Sequence, residues 1–121
     1  MRSLAAAVLL CAVALAAAAD PAPPAARAEI NALLAKLQAS ACDFNRNGTW
    51  YGADQARSHL QTKLNYLEDH NAVQTAEQFI ELAATGSSMS GKPYLVRCGA
   101  AAAPVESKAW LTIELNTAAG S

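Results

Sequence analysis

An excess of charge of either sign is missing from this chain. Lys plus Arg number 9 and Asp plus Glu 10 in 121 residues, a formal net charge of −1. A nucleic-acid binder carries a basic excess to neutralise phosphates, so no nucleic-acid partner is expected. Long-range steering of a charged partner needs a field that this balance does not produce. A spanning run is missing as well: the longest apolar stretch, Leu4 to Ala19, has 16 residues, against about 20 for a membrane helix. Cysteine numbers three, histidine two, and aromatics make up 6%. His59 and His70 lack finger-like spacing, and two cysteines cannot complete a tetrahedral zinc site. No metal or cofactor is therefore expected.

What is present is alanine, 30 of the 121 residues. The alanines are unevenly spread. Residues 1–19 read Arg2, an Ala/Val/Leu run, then Ala17-Ala18-Ala19 before Asp20. A short basic start, an apolar run and a small-x-small site predict a cleaved secretory signal peptide over 1–19. Residues 20–26 then read as a Pro/Ala linker, extended and poorly ordered. One small domain is left over 27–118, with no span after cleavage. Its core is thin, because few of its apolar residues are large, and a covalent staple is expected. The leader removes Cys11, leaving Cys42 and Cys98 as one possible pair in an exported chain. Closing the loop between them is worth roughly 4 kcal/mol in the chain-entropy model.

Periodicity predicts a helix over about 25–40, with Ile30, Leu33, Leu34 and Leu37 on one face. Ala53, Ala56, Leu60, Leu64 and Leu67 predict a second over 53–69. Thr75-Ala-Glu-Gln78 is a capping-box pattern opening a third, which ends at Thr85-Gly86 with Gly86 as a left-handed cap. Cys42, Phe44 and Arg46 alternate as a short strand before the turn dipeptide Asn47-Gly48. Tyr94 to Cys98 reads as a strand that the disulfide sets beside the first, and 99–104 as a loop. Residues 107–118 fit a helix through Leu111, Leu115 and Ala118, capped by Ser107, although Leu111, Ile113 and Leu115 also alternate as in a strand. The expectation is an α+β fold, predominantly α: three to four helices, a short two- to three-stranded antiparallel sheet and one disulfide.

Several chemical motifs fail on context. Gly86-x-x-x-x-Gly91-Lys92 has the skeleton of a phosphate loop. A helix precedes it, a strand follows, and Pro93 stands where a magnesium-binding Ser/Thr belongs. Ser87, Ser88 and Ser90 lack the spacing and flanks of a nucleophile elbow. The loop amides with Lys92 form a possible cradle for a small anion. His59 is a general-base candidate or a packed residue beside an apolar stripe. Arg46 is suited to bind a carboxylate or to pair internally with Asp54, Glu77 or Glu81. Trp50 and Tyr51 read as core rather than as a carbohydrate platform.

Four ordered motifs carry a family resemblance: Phe44-x-Arg-Asn-Gly48, Ala56-x-x-His59-Leu60-x-x-Lys63-Leu64, Thr75-Ala-Glu-Gln-Phe-Ile80, and Ser87-Ser-Met-Ser-Gly-Lys-Pro-Tyr94. Over residues 28–98 the chain resembles the YfeK-like family of exported bacterial proteins, whose function is unknown. The resemblance implies a periplasmic location in a Gram-negative cell and carries over no catalytic residue. It groups polar or amphipathic residues as candidates for a binding site: Arg46, Asn47, His59, Lys63, Ser87, Ser88, Ser90 and Lys92, with Tyr94 beside them. The expected role is a non-enzymatic binding or interaction module, its partner a periplasmic protein or a small anion. The alternatives are a small periplasmic hydrolase using His59 and a purely structural envelope protein.

Overall fold

A computed structural model describes residues 22–119. The expected signal peptide over 1–19 lies outside the described residues, as does the start of the Pro/Ala segment. The elements are α1 (Pro24–Ala39), β1 (Asp43–Arg46), β2 (Thr49–Tyr51), α2 (Ala53–Asp69), α3 (Ala76–Ala83), β3 (Leu95–Arg97), β4 (Val105–Glu106) and α4 (Ser107–Ala119). The fold is α+β and mainly helical. Its antiparallel sheet has four strands in the order β2-β1-β3-β4, one more than the two to three expected.

β2 and β4 have different causes. β2 follows from the Asn47-Gly48 turn, where both residues sit at positive φ, +54° and +87°. That is the two-residue turn whose twist matches flanking strands, so Thr49 pairs with Arg46 and Tyr51 with Phe44. β4 is two exposed residues with no periodicity to read. It exists because Val105 and Glu106 pair with Val96 and Leu95. Cys42–Cys98 forms a disulfide where β1 lies antiparallel to β3, with Phe44 opposite Val96.

α1 packs against α2, α3 and α4. Its stripe, Ile30, Leu33, Leu34 and Leu37, is fully buried with Leu64, Phe79, Val96 and Leu111. Burying each such side chain stabilises by about 1.5–3 kcal/mol. Ala26, Ala76, Ala83 and Ala84 fill the gaps between them, so alanine sets helix spacing more than it supplies core volume. The 107–118 ambiguity resolves as helix, because Leu111 and Leu115 are buried while Ile113 is exposed.

Two local expectations are corrected. The Pro/Ala segment is packed from Ala22 onward rather than loose. Buried Glu68, near the end of α2, accepts from the Ala22 amide at 3.1 Å and takes a forked bond from Arg27 at 2.9–3.2 Å. A buried carboxylate needs such donors, and the chain entering α1 supplies them. Gly86 is not a left-handed cap: it has no positive φ, and α3 ends at Ala84, whose amide bonds Ile80. Gly86 instead bridges Pro93, where an added Cβ would lie 2.9 Å from the Lys92 carbonyl oxygen. Close backbone approach, not handedness, requires glycine there.

Candidate functional site

Strand alternation places Phe44 and Arg46 on the same face of β1, and register sets Tyr51 beside Phe44. α2 follows β2 after a single residue, Gly52, so it crosses directly over this face. Helical spacing then aims Ala56, His59 and Leu60 at the strands. Tyr94, buried just before β3, and Ser107, the first residue of α4, close the end. The Ser107 amide donates to the Tyr94 carbonyl at 2.8 Å. Together these residues line an open cavity of about 290 Å³, which Asn45, Gln55, Ser58 and Thr62 also line.

One polar row runs along its wall and on to Lys63, which lines a neighbouring cavity rather than this one. Arg46 Nη1 lies 3.2 Å from His59 Nδ1, His59 Nε2 lies 3.2 Å from Tyr94 Oη, and Lys63 Nζ donates to Tyr94 Oη at 3.1 Å. Lys63 also reaches the Gly86 carbonyl at 3.4 Å. Arg46 Nη1 also lies 3.5 Å from Nε2, so the guanidinium rests against both ring nitrogens. Tyr94 Oη accepts from Lys63 and shares one hydrogen bond with His59 Nε2. The guanidinium lies 5.4 Å from the Tyr51 ring centre, and the Lys63 amine 5.0 Å from that of Tyr94. Both are favourable cation–aromatic contacts.

Partial burial holds the His59 pKa below its ordinary 6.5, and the neighbouring charges of Arg46 and Lys63 lower it further. An imidazolium could not accept from Arg46. The unfolded chain therefore takes up this proton first on acidification. The His59 contribution to stability is intact above pH 6.5 and declines as the pH falls from 6.5 through the lowered native value. The stability difference between wild type and His59→Gln is expected to narrow across that window. An imidazole titration by NMR is expected to give a midpoint under 6.5; a midpoint above it would contradict the arrangement.

Arg46, His59 and Lys63 thus meet through Tyr94, an amphipathic member of the last sequence motif. The remaining candidates stand apart from the cavity. Asn47 accepts a hydrogen bond from the Ser90 hydroxyl, which ties the turn to the loop. Ser87 Oγ accepts from the amides of Met89 and Ser90, Gly91 N bonds the Ser87 carbonyl, and Lys92 N bonds Ser90 Oγ. The loop amides proposed as an anion cradle are therefore engaged within the loop. Ser88, with Lys63, borders a second cavity of about 360 Å³ beside Tyr66 and Leu82. Lys92 is exposed.

Arg46 has none of the internal carboxylates weighed for it. Asp54 accepts from Gln38 and Glu81 pairs with Lys108. Tyr51 is cavity wall rather than core, and Trp50 carries Arg97 over its ring at 4.2 Å. Sequence reasoning missed Phe44, Tyr51 and Ser107 as lining residues. The signal for the first two was present, since strand alternation and the Asn-Gly register set them beside Arg46. Nothing local marked Ser107. Among the described residues no group of three or more metal-ligating side chains occurs, and no helix is long and apolar enough to cross a membrane.

A model of a family described as a family of unknown function, DUF5329, matches residues 24–119. An uncharacterized protein YfeK of Salmonella typhimurium is 46% identical over 68 residues, 55% of this chain and 55% of that protein. The chain thus spans about half the length of the curated relative it matches. No solved structure matches.

Proposed function

The chain belongs to the DUF5329 family of unknown function, and from that premise we propose that it is an exported, non-enzymatic binding module whose ligand enters the cavity between β1, β2 and α2. The observation that carries this reading is the cavity's composition. Phe44, Tyr51, Ala56 and Leu60 give it apolar surface, and Arg46, His59 and Tyr94 meet in one polar row among further polar lining residues, Asn45, Gln55, Ser58, Thr62 and Ser107. An apolar pocket with a few convergent polar groups is the usual form of a small-ligand site. Export to the periplasm is supported by the leader pattern over 1–19 and by the disulfide, which persists in an oxidising compartment.

The hydrolase reading draws on Ser58 and Ser107 lining the same cavity as His59. Binding is favoured over it because Arg46 lies against both ring nitrogens of His59 and Nε2 faces Tyr94 rather than a serine. A general base needs a free lone pair within reach of its nucleophile.

The test is a ¹H–¹⁵N NMR titration with three probes of one size: 3-phenylpropionate, 3-phenylpropanamide and phenethylamine. At least one is expected to shift the amides of Arg46, His59 and Ser107 at millimolar concentration. If none does, the cavity is not a ligand site.

A further inference from the structure

Given that the cavity is a ligand site, the hydrogen-bonding capacity left along its polar wall specifies the ligand's charge. Arg46 has five N–H groups, of which the His59 contact engages one amino group. Among the described residues, ion pairs form at Arg27, Lys36, Arg97 and Lys108; neither Arg46 nor Lys63 meets a carboxylate. Tyr94 Oη accepts from Lys63 and shares one hydrogen bond with His59 Nε2. One hydrogen-bonding position of its hydroxyl remains. Ser107 is only 3% exposed and lines the cavity, and its hydroxyl has no hydrogen-bond partner among the described residues. The lining therefore offers donors from Arg46 and Ser107 and an open position on Tyr94, beside the neutral groups of Asn45, Gln55, Ser58 and Thr62, and carries uncompensated positive charge. No carboxylate is among the lining residues.

A site of unspent donors around an unpaired guanidinium favours an acceptor-only anionic group, and a planar carboxylate matches the guanidinium fork. Beside Arg46 the lining is aromatic and aliphatic, through Phe44, Tyr51, Ala56 and Leu60, and the volume lies at the small end of ligand cavities. We infer that the ligand is a small monocarboxylic acid with an aromatic or branched apolar body, its carboxylate held by Arg46 and the Tyr94 hydroxyl and its body against Phe44, Tyr51 and Leu60. Arg46 is poised for this role. It faces the cavity from the end of β1, and the ring of Tyr51 holds its guanidinium in place.

The same NMR titration, read as dissociation constants, decides the matter. For the wild-type protein, 3-phenylpropionate is expected to bind at least tenfold more tightly than 3-phenylpropanamide and than inorganic phosphate. Arg46→Gln is expected to weaken binding of the acid at least tenfold and to abolish its preference over the amide. Tyr94→Phe is expected to reduce the preference severalfold. Thermal melting checks that both variants fold; if Arg46→Gln does not, Arg46→Lys, which keeps the charge but loses the fork, is expected to cut the preference and serves in its place. Equal binding of acid and amide would overturn the inference and leave the cavity reading standing. So would binding of phenethylamine alone. Phosphate binding as tight as that of the acid would overturn the apolar half. Undiminished preference in Arg46→Gln would remove Arg46 from the site.

Discussion

Replacing Cys42 and Cys98 together by alanine is expected to lower the thermal midpoint by on the order of 15–30 °C. The bridge closes a long loop, from the start of β1 to the end of β3, at a sequence separation of 56. Such a crosslink contributes roughly 4 kcal/mol through the unfolded chain, and 1 kcal/mol moves the midpoint of a domain this size by about 4–8 °C. Little else is available to offset the loss. β1 and β3 share only three residue pairs, and much of the core is alanine. The effect should reach the cavity as well, because β1 carries Phe44 and Arg46. A midpoint unchanged by the double substitution, or by reduction of the native protein, would show that the helical layer holds the fold without the staple.

Phe79→Ala is expected to cost about 3–5 kcal/mol, the range for truncating a buried phenylalanine. Phe79 is fully buried at the middle of α3, and α3 packs against α1, α2 and α4. Its neighbours Ala76, Ala83 and Ala84 are too small to fill the space left behind. Against a typical total stability of about 5–15 kcal/mol, the variant should melt far below wild type or fail to fold. Urea denaturation measures the loss directly. A value under about 1 kcal/mol would mean that the site collapses around the deletion and that α3 is not held by its single aromatic.

The helices were legible because each buries one stripe at a constant spacing, as Ile30, Leu33, Leu34 and Leu37 do. The turn after β1 was legible in Asn47-Gly48, where both residues accept positive φ. The disulfide followed from having two cysteines left to pair. What could not be read depends on pairing across space. Val105 and Glu106 are a strand only because β3 lies beside them, and Gly86 is required by an approaching carbonyl six residues away. The site divides in the same way. Arg46, His59 and Lys63 stood out as polar residues beside apolar stripes. Tyr94 joins them from a different element, and Ser107 from another again, at a place where the local sequence reads as a helix start. The Ser/Gly loop looked most like a binding element by composition. In the fold its hydroxyls and amides mainly bond one another.

The most direct test of the cavity as a carboxylate site is a crystal structure of the protein grown with 3-phenylpropionate. The account predicts the acid between β1 and α2, its carboxylate on Arg46 and Tyr94 and its ring against Phe44 and Tyr51. A structure with the acid bound elsewhere, or with Arg46 turned onto a carboxylate of the protein itself, would contradict it.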